Sequence, residues 1–167
     1  MLEIRPMSDG EALATAEMHV RTWRSAYTGI VPGAFLAAMD PAQFAERRRA
    51  RRTTVLVAVR DGVIIGNADY GHYREDDGSP DPRHGELNAI YVDPSAWGTG
   101  TGHALFAAVE QEMTGTWPDM RLWVLEDNLR ARRFYERQGM RPDGASDFWT
   151  PHGTAARLRE LRYVKAL

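Results

Sequence analysis

One stretch constrains this chain more than any other. Ile90-Tyr91-Val92 is apolar, Asp93-Pro94 turns, and Trp97-Gly98-Thr99-Gly100-Thr101-Gly102-His103 opens a segment in which Leu105, Val109 and Met113 recur every four residues. That spacing predicts strand, loop and helix in succession. A helix start carries unpaired backbone N–H groups and the positive end of the helix dipole. Glycines let that backbone approach a ligand closely, because no Cβ intervenes. The stretch is therefore an anion cradle suited to phosphate oxygens. Two familiar phosphate loops do not fit. The dinucleotide fingerprint needs a third glycine three residues after the second, and counting from Gly98 or from Gly100 that place holds His103 or Leu105. A Walker loop needs Gly-Lys, and the lone lysine is Lys165.

The rest of the chain is ordinary for a soluble globular protein. Its 167 residues, 43% hydrophobic and 26% charged, fit one domain with a real core. A net charge of −2 argues against a general nucleic-acid binder. The absence of cysteine excludes disulfides, cysteine metal sites and an acyl-cysteine intermediate, and is compatible with the cytoplasm. No secretory pattern opens the chain and no apolar run reaches membrane-spanning length, so no membrane partner is expected. The histidines at 19, 72, 84, 103 and 152 have no metal-ligand spacing, so no metal is expected.

In order, Leu2 to Arg5 reads as a strand. Ser8 or Asp9 caps a helix through Glu11, Leu13, Ala16 and Val20. A second short helix ends at Gly29 and carries Trp23 and Tyr27 on one face, either as core or as a pocket wall. Phe35, Leu36 and Met39 mark another short helix, and Asp40-Pro41 starts one that ends in the arginine run 47–52, read as a solvated helix end. Thr53 to Val59 and Val63 to Tyr73 form a hairpin about Asp61-Gly62. Arg74 to Arg83, acidic and proline-bearing, reads as a loop. His84 to Val92 is a central strand with Glu86, Asn88, Ile90 and Val92 on one face. Met120 to Leu125 is a buried strand, Asn128 caps a helix that Gly139 ends, and Phe148–Trp149 and Leu158 to Val164 are late strands.

Two of these segments are similar to motifs of the GCN5-related N-acetyltransferases, the GNAT family. The glycine stretch resembles the family's Arg/Gln-x-x-Gly-x-Gly/Ala acetyl-CoA motif, with Gly100 and Gly102 in the glycine places and Trp97 where Arg or Gln is usual. Val124 to Met140 resembles Val-x-x-x-Asn-x-x-Ala-x-x-Phe-Tyr-x-x-x-Gly-Phe, matching at Val124, Asn128, Ala131, Phe134, Tyr135 and Gly139, with Met140 in place of the final Phe. The resemblance covers about Glu86 to Met140. It implies an α/β (α+β) fold over residues 1–167 as a single domain: a mixed, mostly antiparallel sheet of about seven strands with a splayed parallel pair, flanked by helices.

The activity so implied is direct transfer of acetyl from acetyl-CoA, as co-substrate, to an amine, with no covalent enzyme intermediate. Such a reaction needs an anchored coenzyme, a polarised carbonyl, a deprotonated amine and a proton for the departing thiolate. The backbone of Gly98, Thr99, Gly100, Thr101, Gly102 and His103 is the expected anchor, with Trp97 beside it. N–H groups of Ile90, Tyr91 and Val92 are expected to polarise the carbonyl, and Asn128, Ala131 and Phe134 to complete the coenzyme site. Tyr135 is the candidate acid, a phenol near pKa 10 being reasonably matched to a thiolate. Glu86 is the candidate base, set against a plain solvent-facing strand end. Trp23, Tyr27 and Asn88 are candidates for the acceptor wall. The acceptor stays open between small amines, polyamines, antibiotics, amino acids and proteins; the acidic 75–81 loop leans toward a cationic one. The family's habit admits a homodimer. The alternative is an acyl-CoA-binding sensor or scaffold without turnover.

Overall fold

The computed structural model describes residues 1–50 and 53–167. Among them seven strands form one sheet in the order β1-β2-β3-β4-β5-β7-β6. The strands are β1 (Leu2–Pro6), β2 (Thr54–Arg60), β3 (Val63–Arg74), β4 (Pro80–Val92), β5 (Asp119–Leu125), β6 (Arg141–Trp149) and β7 (Leu158–Ala166). All neighbours are antiparallel except β4 and β5. The helices are α1 (Ala12–Ala26), α2 (Gly33–Ala38), α3 (Pro41–Ala50), α4 (Thr101–Met113) and α5 (Leu129–Arg137). The mixed, mostly antiparallel α/β architecture expected from the resemblance is the one observed.

The β2–β3 hairpin turns at Asp61 and Gly62, whose φ values of 52° and 81° suit the twist of a tight two-residue turn. One face of the sheet is covered by α4 and α5, whose Leu105, Phe106, Val109, Met113 and Tyr135 pack on Leu56, Leu87, Met120, Leu122 and Val124. The other face carries α1 and α3; Met18 meets Val57 and Ile64 there, and Ala12 and Ala16 meet Ala45. A third cluster of Val20, Val31, Leu36, Met39 and Leu125 closes one end of the molecule, with Trp23, Tyr27, Phe35 and Trp149 packed on it.

Two features of the central strands set up the site. First, β4 and β5 pair only at Gly85↔Met120 and Glu86↔Arg121. Beyond that point the two strands diverge. Second, the β3–β4 ladder steps from Asp69↔Ala89 to Tyr70↔Leu87, leaving Asn88 as an extra residue. This bulge corrects the simple alternation expected for β4. Leu87 on one side of it, and Ile90 and Val92 on the other, all belong to the α4 face, so Glu86 does not share a face with Ile90. A bulge inserts one residue and reverses the parity of everything after it.

Other expectations change in detail. The helix expected to stop after Val20 runs unbroken to Ala26, and Tyr27 rather than Gly29 is its C-cap; no proline or glycine interrupts that stretch. Residues 74–83 are not all loop: Pro80↔Arg74 and Asp81↔Tyr73 extend the β3–β4 ladder, leaving a turn in which Gly78 N–H donates to Glu75 C=O. The arginine run is not simply a solvated end. Arg48 is buried and its guanidinium donates to both oxygens of buried Asp69 at 2.8 and 2.9 Å; Arg51 and Arg52 lie outside the described residues.

Candidate active site

A cleft of about 480 Å³ runs from the start of α4, between the diverging ends of β4 and β5, to the aromatic cluster at the end of α1. Its outer end is built by the glycine loop. A short 3-10 turn, Pro94–Ala96, follows β4, and Asp93 accepts from Ser95 N–H at 3.0 Å. Gly98 and Gly100 then take φ of 76° and 85°, a left-handed region where a side chain is strained, and Gly100 is the N-cap of α4. Gly102 follows in the first turn of α4, where an added Cβ would lie 3.2 Å from the Phe134 ring. Gly98, Gly100, Gly102 and His103 line the cleft, so the first amides of α4 open onto it. Thr99 and Thr101 do not; their hydroxyls face each other at 3.0 Å and accept from Arg60.

Trp97, which stands where the resembling motif has Arg or Gln, is used structurally. Its indole N–H donates to Val92 C=O at 2.7 Å, holding the loop on the strand end. The Arg130 guanidinium stacks 3.4 Å over the Trp97 ring. Arg130, Arg137 and Gln138 all line this end of the cleft. The sequence reading missed these cations, though their spacing on α5 puts Arg130 and Arg137 on the stripe that carries Phe134.

The middle of the cleft is walled by Ala89, Ile90, Tyr91 and Val92 of β4, by Trp123, Val124 and Leu125 of β5, and by α5. Asn128 accepts from Ala131 N–H at 3.1 Å and so starts α5 squarely at the end of β5. Along α5, Ala131, Phe134 and Tyr135 face the cleft. The helix closes with Met140 N–H donating to Tyr135 C=O. Burial pushes the Tyr135 phenol well above its ordinary value, with Tyr27 nearby adding to the effect. Such a phenol keeps its proton throughout the neutral range.

The inner end gathers Trp23, Tyr27, Asn88, Trp149 and Glu160. Trp23 lies 4.4 Å from Tyr27 between ring centroids and 5.8 Å from Trp149, edge to face. Trp23 and Tyr27 are thus both core and wall, since the same rings pack on the apolar cluster behind them. Neither side-chain polar atom of Asn88 has a hydrogen-bond partner, although both are buried. Tyr27 is pushed up to about 12 by burial, the Asn128 amide opposing and the Glu160 charge adding. Glu160 is pushed up to about 7 by burial, then by the charges of Asp147 and Glu86. Glu160 and Trp149 belong to late strands in which no motif signalled them.

Glu86 is not brought into the cleft. It is buried, absent from the lining, and accepts from the Arg74 backbone N–H at 3.1 Å and from its guanidinium at 3.4 Å. Nor does the acidic turn reach the cleft: none of residues 75–81 lines it, and the Asp81 carboxylate is held by Arg83 at 2.9 Å. The lean toward a cationic acceptor drawn from that turn has no support in this geometry. A smaller cavity of about 220 Å³, beside Arg48, Asp69 and Arg74, adjoins the cleft at Trp23, Asn88, Ala89 and Tyr91.

The cleft thus joins a splayed strand pair, a helix N-terminus at its outer mouth and the Tyr135 phenol in its wall. The chain belongs to the GNAT acetyltransferases: the sequence profile of the Acetyltransferase (GNAT) family matches residues 13–140. Among curated relatives, a Mycobacterium tuberculosis protein named an uncharacterized N-acetyltransferase is 35% identical over 114 residues, 67% of this chain and 68% of the relative. A Bacillus subtilis protein named likewise is 28% identical over 131 residues, 77% of this chain and 74% of its own. Among solved structures, the PaiA N-acetyltransferase of Thermoplasma acidophilum, in complex with coenzyme A, superposes with a TM-score of 0.74 at 17% identity, over 100% of this chain and 99% of that one. Among the described residues no helix is long and apolar enough to cross a membrane.

Proposed function

We propose that the protein moves acetyl from acetyl-CoA directly to the primary amine of an acceptor seated at the inner end of the cleft. The observation that carries this reading is the course of the cleft itself. It starts at the open amides of α4, follows the gap between β4 and β5, and ends between Tyr135 and a pocket of aromatic rings. The residues present fit the coenzyme. The α4 amides, with Arg130 and Arg137 beside them, suit a pyrophosphate, and the β4 edge freed by the splay offers backbone groups to an extended arm.

Acetyl-CoA supplies the activated thioester. The backbone N–H groups of β4 near Ile90 to Val92 polarise its carbonyl, stabilising the negative charge that collects on oxygen as the amine adds. Tyr135 acts on the sulfur. Because its pKa is raised, the phenol donates a hydrogen bond to the developing thiolate, and its proton moves only as charge accumulates there. The absence of cysteine excludes an acyl-cysteine intermediate and so supports direct transfer.

Isothermal calorimetry with acetyl-CoA, paired with detection of free thiol across a panel of primary amines, tests the reading. Micromolar binding with amine-dependent thiol release is expected. Binding without release under every amine would leave a sensor, and no binding at high micromolar concentration would remove the coenzyme assignment.

A further inference from the structure

We infer that Glu160 is the group that takes the proton from the acceptor's ammonium, making β7 the source of the catalytic base. The inference rests on the transferase reading above and adds a residue to it. The resembling motifs end at Met140, well before Glu160, and strand position had pointed instead to Glu86.

Position comes first. Glu160 stands opposite Leu125 of β5 and Asp147 of β6 in the ladders. It therefore lies at the end of β5, where β4 has already turned away, and it lines the inner end of the cleft beside Tyr27 and Trp149. It is the one carboxylate among the described residues that line the cleft. Among the described residues it makes no ion pair and no side-chain hydrogen bond, whereas Glu86 has its oxygens occupied by Arg74. The alternatives in the lining are either misplaced or poor proton acceptors. His103 sits at the glycine-loop end, its Nδ1 2.8 Å from Gln138 Oε1. Tyr27, Tyr91 and Tyr135 are all raised by burial. Arg130 and Arg137 are permanent cations.

The electrostatics agree with the position. The groups that act on Glu160 are Asp147 from β6 and Glu86 from β4, both acidic, while Tyr27 from α1 feels its charge. Among the described residues no cation opposes them, and burial and like charge raise the carboxyl to about 7. A carboxylate at its ordinary value would take a proton from an ammonium near 10 against roughly six powers of ten; at about 7 the gap is roughly three. Trp23, Tyr27 and Trp149 line the cleft with Glu160, and aromatic rings suit a cation on an apolar carrier until it is deprotonated.

The step balances as follows. Glu160 carboxylate accepts one proton from R-NH3⁺. The freed nitrogen lone pair forms the C–N bond, the C–S bond breaks, and the electron pair leaves on sulfur. The nitrogen sheds its second proton as the thiolate is protonated through Tyr135. Glu160 then returns its proton to solvent.

The test uses the full chain. With 2-phenylethylamine, n-butylamine and glycine as defined probes, the rate of thiol release in the wild type should rise with pH through a midpoint near 7, on at least one amine. Glu160→Gln should lower kcat by about 100-fold or more and erase that rise, while leaving the acetyl-CoA Kd within about twofold. Glu160→Asp should restore part of the rate together with the rise. Glu86→Gln should shift the midpoint downward without removing it, since one like charge is gone. In ¹³C spectra of carboxyl-labelled protein, a glutamate resonance titrating near 7 should be missing from Glu160→Gln. A Glu160→Gln protein that keeps the rise, or that loses acetyl-CoA affinity along with its rate, overturns the assignment alone. A wild type that releases no thiol with any amine overturns the transferase reading and this assignment together.

Discussion

At the scale of single residues, two buried charges deserve contrast. Arg48 and Asp69 have side chains only 6% and 5% exposed, and they compensate each other at 2.8 Å, with Asn67 donating to Asp69 at 2.7 Å. Removing one partner strands the other in a medium that solvates it poorly. Asp69→Ala should therefore destabilise the protein by about 3–5 kcal/mol in urea unfolding, while the double replacement Arg48→Met with Asp69→Leu should fall far short of twice that loss. Tyr135 is a different case, a neutral phenol in the wall of the cleft. Tyr135→Phe should lower kcat roughly 10- to 100-fold with the acetyl-CoA Kd unchanged, because the ring that packs against Phe134 is retained. Stopped-flow thiol release and calorimetry would separate the two effects.

At the scale of elements, the molecule shows what a sequence can and cannot declare. The strand-loop-helix of the glycine stretch and the Asn128-capped α5 were legible because each is local: a cap, a period and a turn within some twenty residues. The α/β architecture was implied by the family resemblance that those two motifs carry. The bulge at Asn88 was not legible, because it is a property of two strands in register and not of one strand's alternation. The same holds for Glu160, whose neighbours Asp147, Tyr27 and Glu86 come from β6, the end of α1 and β4, the last two remote in sequence. Arg48 was misread because a run of like charges gives no sign of which member turns inward to meet an aspartate on β3. The pairing of α4 with α5 carries its own prediction. If Arg130 and Arg137 join the α4 amides in holding phosphate, Arg130→Gln with Arg137→Gln should weaken acetyl-CoA binding by about tenfold and reduce its sensitivity to added salt. Fluorescence titration at low and high ionic strength would reveal both changes.

For the whole molecule, two carboxylates pull stability in opposite directions with pH. Arg5 holds Glu11 down to about 2, so its contribution is complete above the ordinary carboxylate range and is lost as pH falls toward 2. Glu160 is raised to about 7, so the folded state binds its proton more tightly than the unfolded chain does. That contribution is complete below about 4.5 and is lost as pH rises through 7. Thermal unfolding of the wild type should thus show a lower Tm at pH 8 than at pH 5. Glu160→Gln should remove most of the difference and gain on the order of 1 kcal/mol at pH 8 once solvent in the cleft is allowed for.

The two-rung contact between β4 and β5 also bears on how the molecule holds together. Four strands lie on one side of it and three on the other, and each group is continuous within itself. The sheet behaves as two leaves of a book joined by a short spine. If acetyl-CoA lies along the gutter as proposed, it fastens both leaves at once, so its binding adds directly to the cohesion of the protein. Hydrogen exchange should report this directly: saturating acetyl-CoA should slow the amides of Ile90 to Val92 and of Leu122 to Leu125 together, on opposite pages.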